Sequence, residues 1–161
     1  MNIKKTIRVM SIISIALIGL SLLLVVASFP LQRVLVNIIY GGEYLERFVP
    51  QFPVEHFLSL FLMLIPAFLF FIFLKKEENR IWVEVVTLGL LFLVVPSCVS
   101  IFSSVYIRII DGEYFMSYTT VRTISGYFCF FSSLGQLLLY VTCGMSIATK
   151  KQNKGDTFIS Q

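Results

Sequence analysis

The chain has 161 residues, 57% hydrophobic and 14% charged, with a mean hydropathy of +0.88. A soluble domain carries about 25% charged residues, enough for a polar outer stripe on each helix; here charges are missing from long continuous stretches, which excludes that class. The net charge of +4 comes from lysines and arginines flanking those stretches, a topology signal rather than a nucleic-acid-binding patch.

Four runs lack any charged residue: Val9 to Phe29, Phe57 to Leu74, Val85 to Ile107 and Thr123 to Thr149. A helix needs roughly 20 residues to cross a hydrocarbon core of about 30 Å. Solid apolar blocks such as LIGLSLLLVVA and FLFFIFL do not alternate as strands of a transmembrane barrel do. The expected fold is therefore an all-α membrane protein, a single domain of four transmembrane helices in an up-down bundle. The spans are read as 9–29, 57–74, 82–107 and 123–147, followed by a polar, unstructured tail over 150–161.

Lys4, Lys5 and Arg8 precede the first span, as in a secretory leader, but its apolar core exceeds the ~7 to 15 residues of such leaders. A retained span is the favoured reading. Ser14, Ser21 and Ser28 recur every seven residues within it, with Ser11 three before the first. After Pro30, the residues Leu31, Val34, Leu35, Ile38 and Ile39 share one helical face, with Gln32, Arg33 and Asn37 elsewhere. This predicts a short interfacial helix, apolar face toward lipid or bundle, ended by Gly41-Gly42. Pro50 and Pro53 keep the approach to the second span extended.

Pro66 and Pro96 lie inside the second and third spans, where each removes a backbone hydrogen bond. Trp82 marks the start of the third span, and Tyr40, Tyr106 and Tyr127 mark the opposite boundary. Gly89, Pro96, Ser100 and Ser103 form a strip of small residues on the third span. On the fourth, Ser125, Cys129, Ser132, Gln136 and Cys143 fall on one face at helical spacing. Such strips let helices approach closely, or line a path. An unpaired amide in hydrocarbon costs several kcal/mol, so Gln136 is expected to turn inward to a serine of a neighbouring helix.

The Gly-Glu-Tyr triplets at 42–44 and 112–114 are offset by 70 residues, an offset that also overlays the spans in pairs. Two tandem copies of one helical hairpin would produce this.

Orientation follows from the cations. Lys4, Lys5, Arg8, Lys75, Lys76, Arg80, Lys150, Lys151 and Lys154 flank one side, and Arg33, Arg47, Arg108 and Arg122 the other. Nine against four places both termini in the cytoplasm, in a plasma or inner membrane.

Ionisable candidates are few. Glu84 lies four residues after Arg80, a spacing that allows a pair on one helix face at the boundary or, alternatively, a proton- or cation-coupling site. His56, the one histidine, stands beside Glu55 at the outer mouth, with Glu43, Glu46, Asp111 and Glu113 on the same side. A zinc site draws on several Cys or His, so solvated boundary chemistry is the favoured reading. The three cysteines lie inside spans without a CxxC pair and read as packing residues. The residues supply no glycine-flanked nucleophile and no phosphate-binding loop. The expectation is a non-enzymatic protein without a cofactor, acting through helix–helix contacts as an accessory, immunity-type or regulatory protein. Its partners would be the lipid bilayer and a membrane protein or a second copy of itself, not nucleic acid. The alternative is a small oligomeric transporter or channel.

Overall fold

A computed structural model describes residues 3–75, 81–109 and 112–159; within these, side chains are described except at 44–45, 75, 104, 106–109, 112–116 and 152–159. The described chain is all-α. Helix α1 is Ile3–Tyr40, α2 Gly42–Leu45, α3 Val54–Lys75, α4 Trp82–Gly89, α5 Val95–Ile109, α6 Gly112–Phe128 and α7 Phe130–Ile159. A π-helical turn over Leu90–Val94 joins α4 to α5 into one long helix.

Four stretches are long and apolar enough to cross a bilayer: Ile3–Tyr40, Val54–Leu74, Trp82–Ser103 and Phe130–Lys151. The exposure pattern agrees with a lipid surround. Leu23, Leu93 and Ile101 are at least two-thirds exposed, whereas Ser11, Ser14 and Ser21 are completely enclosed. A chain in water would reverse that choice; in lipid, hydroxyls gain by facing one another. This is a multi-pass membrane protein.

The buried positions of α1 are 7, 11, 14, 18, 21, 25, 28, 32 and 36, steps of four and three that draw one seam along the helix. Along that seam α1 packs against α7, α3 and α6. Ile18 and Val25 meet Leu60, Ala67, Phe70, Leu91, Leu139 and Cys143 in the main core. Val36 meets Phe48, Val121 and Ile124 in a second cluster at the loop end, away from the termini.

The helix read after the first span is present, but as an unbroken continuation of α1 through Pro30. Proline costs a helix interior about 3 kcal/mol; burial of Ser28, Gln32 and Val36 on either side of it keeps the helix continuous. Its apolar face looks outward, with Leu31, Val34 and Ile38 more than half exposed, while Gln32 faces protein. The Gln32 side chain donates from Nε2 to the Gln51 carbonyl (2.6 Å) and accepts at Oε1 from the Gln51 N–H (3.0 Å). That pair pins the extended 48–53 segment between its prolines. Gly41, at φ 85°, supplies the left-handed residue that ends α1.

The fourth span differs from the expected 123–147. The helix breaks at Cys129, whose N–H turns back three residues to the Gly126 carbonyl, and the apolar span begins at Phe130. Residues 123–128 belong to α6. The tail is also corrected: α7 stays helical to Ile159, because the lysines and glutamine of that stretch are good helix formers and no proline intervenes. In the third span the π turn directly precedes Pro96. Its wider turn, closed by the Val95 N–H on the Leu90 carbonyl, accommodates the proline ring where a tight turn would clash. The two Gly-Glu-Tyr triplets open helices of 4 and 17 residues, so the local structures after them diverge.

Candidate functional site

Three polar arrangements stand out, one in the seam and one at each end of the bundle. In the seam, the Ser14 hydroxyl donates to the Gly135 carbonyl (2.5 Å). A Cβ at Gly135 would lie 2.8 Å from the Ser14 carbonyl oxygen and 3.0 Å from Ile18 Cγ1. Only glycine fits there, because the obstacle is backbone. The serines expected to form a strip on α1 do so: Ser11, Ser14, Ser21 and Ser28 are all buried.

The strip read on the fourth span is divided by the break at Cys129. Ser125, Ser132 and Cys143 are buried, and Cys129 and Gln136 half-buried. Ser125 and Ser132 back-bond to carbonyls of their own segment, Val121 and Cys129. Gln136 does not reach a serine of another helix. Its Nε2 donates to the Tyr140 hydroxyl one turn along α7, and the Tyr140 ring stacks on Phe92 of the third span at 4.4 Å. A phenol one turn away satisfies an amide at less conformational cost than a partner across the bundle.

At the loop end, α3 and α6 are tied by Glu55. Tyr118 donates to Glu55 Oε2 (2.5 Å) and the Arg122 guanidinium lies 3.2 Å from Oε1. Tyr118 lies outside the spans, and its phenol is pushed up to about 12, first by burial and then by its bond to the Glu55 carboxylate. His56 is half-buried, not freely solvated, with Nδ1 3.0 Å from Ser125 Oγ. The same hydroxyl lies 2.7 Å from the Val121 carbonyl oxygen and 3.2 Å from that of Arg122. Glu43 and Glu46 are exposed. Asp111, and the side chain of Glu113, lie outside the described residues. Among the described residues no three or more His, Cys, Asp or Glu gather.

At the termini end, Glu84 is almost wholly buried. Its Oε1 accepts from Ser146 Oγ (2.6 Å) and from Lys150 Nζ (2.7 Å). Oε2 is buried and has no hydrogen-bond partner among the described residues. The pair read from sequence joined Glu84 to Arg80, which lies outside the described residues. The pair formed joins the third span to the fourth.

The strip on the third span is divided, with Pro96 and Ser100 facing outward and Gly89 and Ser103 half-buried. Pro96, Ser97, Cys98 and Ser100 are exposed, and Ser103 bonds Tyr118. Beyond the π turn, α5 packs on α3, while α4 touches both α3 and α7. Only 17% of this span's apolar window is buried, against 33% for the fourth, making it the least enclosed of the four. No protein-family model matches the chain, and neither a curated protein nor a solved structure is detectably similar to it.

Sequence reasoning passed over Gly135, Lys150, Tyr118 and the Gln32–Gln51 clamp. Gly135 was within reach, standing three residues after Ser132 and four before Leu139, the spacing of a helical face.

Proposed function

We propose that this is a non-enzymatic membrane protein that binds another transmembrane helix through the outward face of α5. The observation carrying this reading is that strip of small residues. The strips on α1 and α7 are largely buried, whereas Pro96, Ser97 and Ser100 are exposed on the least enclosed span. Small residues on a helix face let a second backbone approach closely, and close approach is the principal source of helix affinity in lipid. The partner is accordingly an apolar helix, either of the protein this chain serves as accessory, immunity or regulatory subunit, or of a second copy.

A photo-crosslinking residue at Ser97 or Ser100 in native membranes should capture a discrete protein. The same residue at Leu23, 69% exposed on α1, should capture lipid alone. Equal capture at both positions, or lipid only, sinks the reading. Ser100→Leu should reduce capture at Ser97 by about tenfold, the effect of roughly 1.4 kcal/mol.

The proposed orientation places both termini in the cytoplasm of a plasma or inner membrane, supported by the nine-to-four division of cations. A Lys154→Cys thiol should then resist impermeant reagents in intact cells while Glu46→Cys reacts; the reverse pattern inverts the topology.

A further inference from the structure

We propose that Glu84 and Ser146 form a binding site for a monovalent metal cation, with Lys150 as the tethered cation that competes for it. This is independent of the docking face on α5.

The site lies at the start of the third span and is closed to solvent on the glutamate side, where the side chain is 1% exposed. An ionised carboxylate offers about four lone-pair directions. Both donors fall on Oε1, and Oε2 is buried with no hydrogen-bond partner among the described residues. An anionic oxygen left so in a low-dielectric interior is costly, and it is a ligand atom that an entering cation would use. The Ser146 hydroxyl spends its proton on Oε1, so its lone pairs remain for a metal ion.

Charge limits what can bind. One carboxylate balances one positive charge, so an entering ion must displace Lys150 rather than join it. Lys150 stands at the rim of the fourth span beside exposed Lys151, with its own side chain 16% exposed. Its four-carbon stem can carry the ammonium into water. Calcium and magnesium ask for several oxygen ligands and usually more than one carboxylate; one carboxylate and a hydroxyl suit an alkali ion. The helices packed on α4 are α3 and α7. Lys150 and Cys143 are the titratable groups that α7 brings toward Glu84. On α3, Glu55 and His56 lie at the other end, and its last residue at this end is Lys75, whose side chain is outside the described ones. Two states follow: with Lys150 in place, its ammonium ties α7 to the third span; with a metal ion in place, the ion between Glu84 and Ser146 ties them instead and Lys150 is released.

The test uses the full chain in nanodiscs at constant near-neutral pH and ionic strength, exchanging N-methylglucamine chloride for sodium or potassium chloride. In Lys150→Met, where the competitor is gone, sodium or potassium should raise the unfolding temperature by several degrees and radiolabelled ion should bind once per chain. The unmodified protein should need at least about tenfold more ion, because only the fraction with Lys150 released is competent. Adding Glu84→Gln to Lys150→Met should abolish both responses. Identical unfolding in all three salts, or a response that survives Glu84→Gln, overturns the proposal. If Lys150→Met does not accumulate, Ser146→Ala in the otherwise natural chain decides. It should weaken the ion response of the unmodified protein at least about threefold, and an unchanged response overturns the site.

Discussion

The carbonyl oxygen of Ser14 stands 2.8 Å from where a side chain would begin at Gly135, while the Ser14 hydroxyl bonds the Gly135 carbonyl. Two helices 121 residues apart in sequence thus meet backbone to backbone within their apolar stretches. Gly135→Ala should therefore destabilise the protein by about 1–3 kcal/mol through overpacking, and Gly135→Leu should prevent α1 and α7 from closing. Ser14→Ala removes one hydrogen bond and should cost about 0.5–1.5 kcal/mol. Unfolding in mild detergent ranks the three; an alanine at 135 as stable as glycine would contradict the contact.

Lys150→Ala leaves Glu84 buried and unbalanced, which should cost about 3–5 kcal/mol, whereas replacing both residues with apolar ones should recover most of that. A double-mutant cycle measures the difference. Equal losses in the single and double variants would place the ion pair in water.

Tyr118 bonds the Glu55 carboxylate, so its neutral form is favoured by the fold. Since its pKa is raised from 10.0 to about 12, the stabilisation is complete below the unfolded value of 10.0 and disappears as pH climbs to about 12. The phenolate absorbance difference between the natural chain and Tyr118→Phe should thus appear only near that upper value. A midpoint at the ordinary tyrosine value would remove the buried contact.

Gln32→Leu removes both hydrogen bonds between the Gln32 side chain and the Gln51 backbone. Each such bond contributes about 0.5–1.5 kcal/mol. Hydrogen exchange at the Gln51 amide should accelerate at least about tenfold, with little change in the seam between α1 and α7. Unchanged exchange would mean that the clamp does not hold the 48–53 segment.

Much of this fold can be read from residues alone, and the exceptions share a cause. Uncharged runs expose the spans because lipid tolerates few charges. The serines of α1 are visible because seam periodicity survives in any environment. Three features escape for want of a local signal. The break at Cys129 has no proline at it, so an unbroken run of apolar residues conceals it. The inward turn of Gln32 depends on Gln51, nineteen residues on. Glu84 has Arg80 near it in sequence but Lys150 near it in space, and only the bundle decides between them. The strip on the third span is visible as a pattern, yet whether it faces in or out is set by neighbours that sequence spacing does not place.

The pairing of α1 with α7 also sets the order in which the protein can mature. The seam of α1 enters the membrane early, and the glycine that completes it is synthesised more than a hundred residues later. Through that interval Ser14 has no Gly135 carbonyl to receive its hydroxyl. A nascent chain halted before Phe130 should therefore be held at the insertion machinery or degraded, and quality control would be reading the first helix to learn whether the fourth span has arrived.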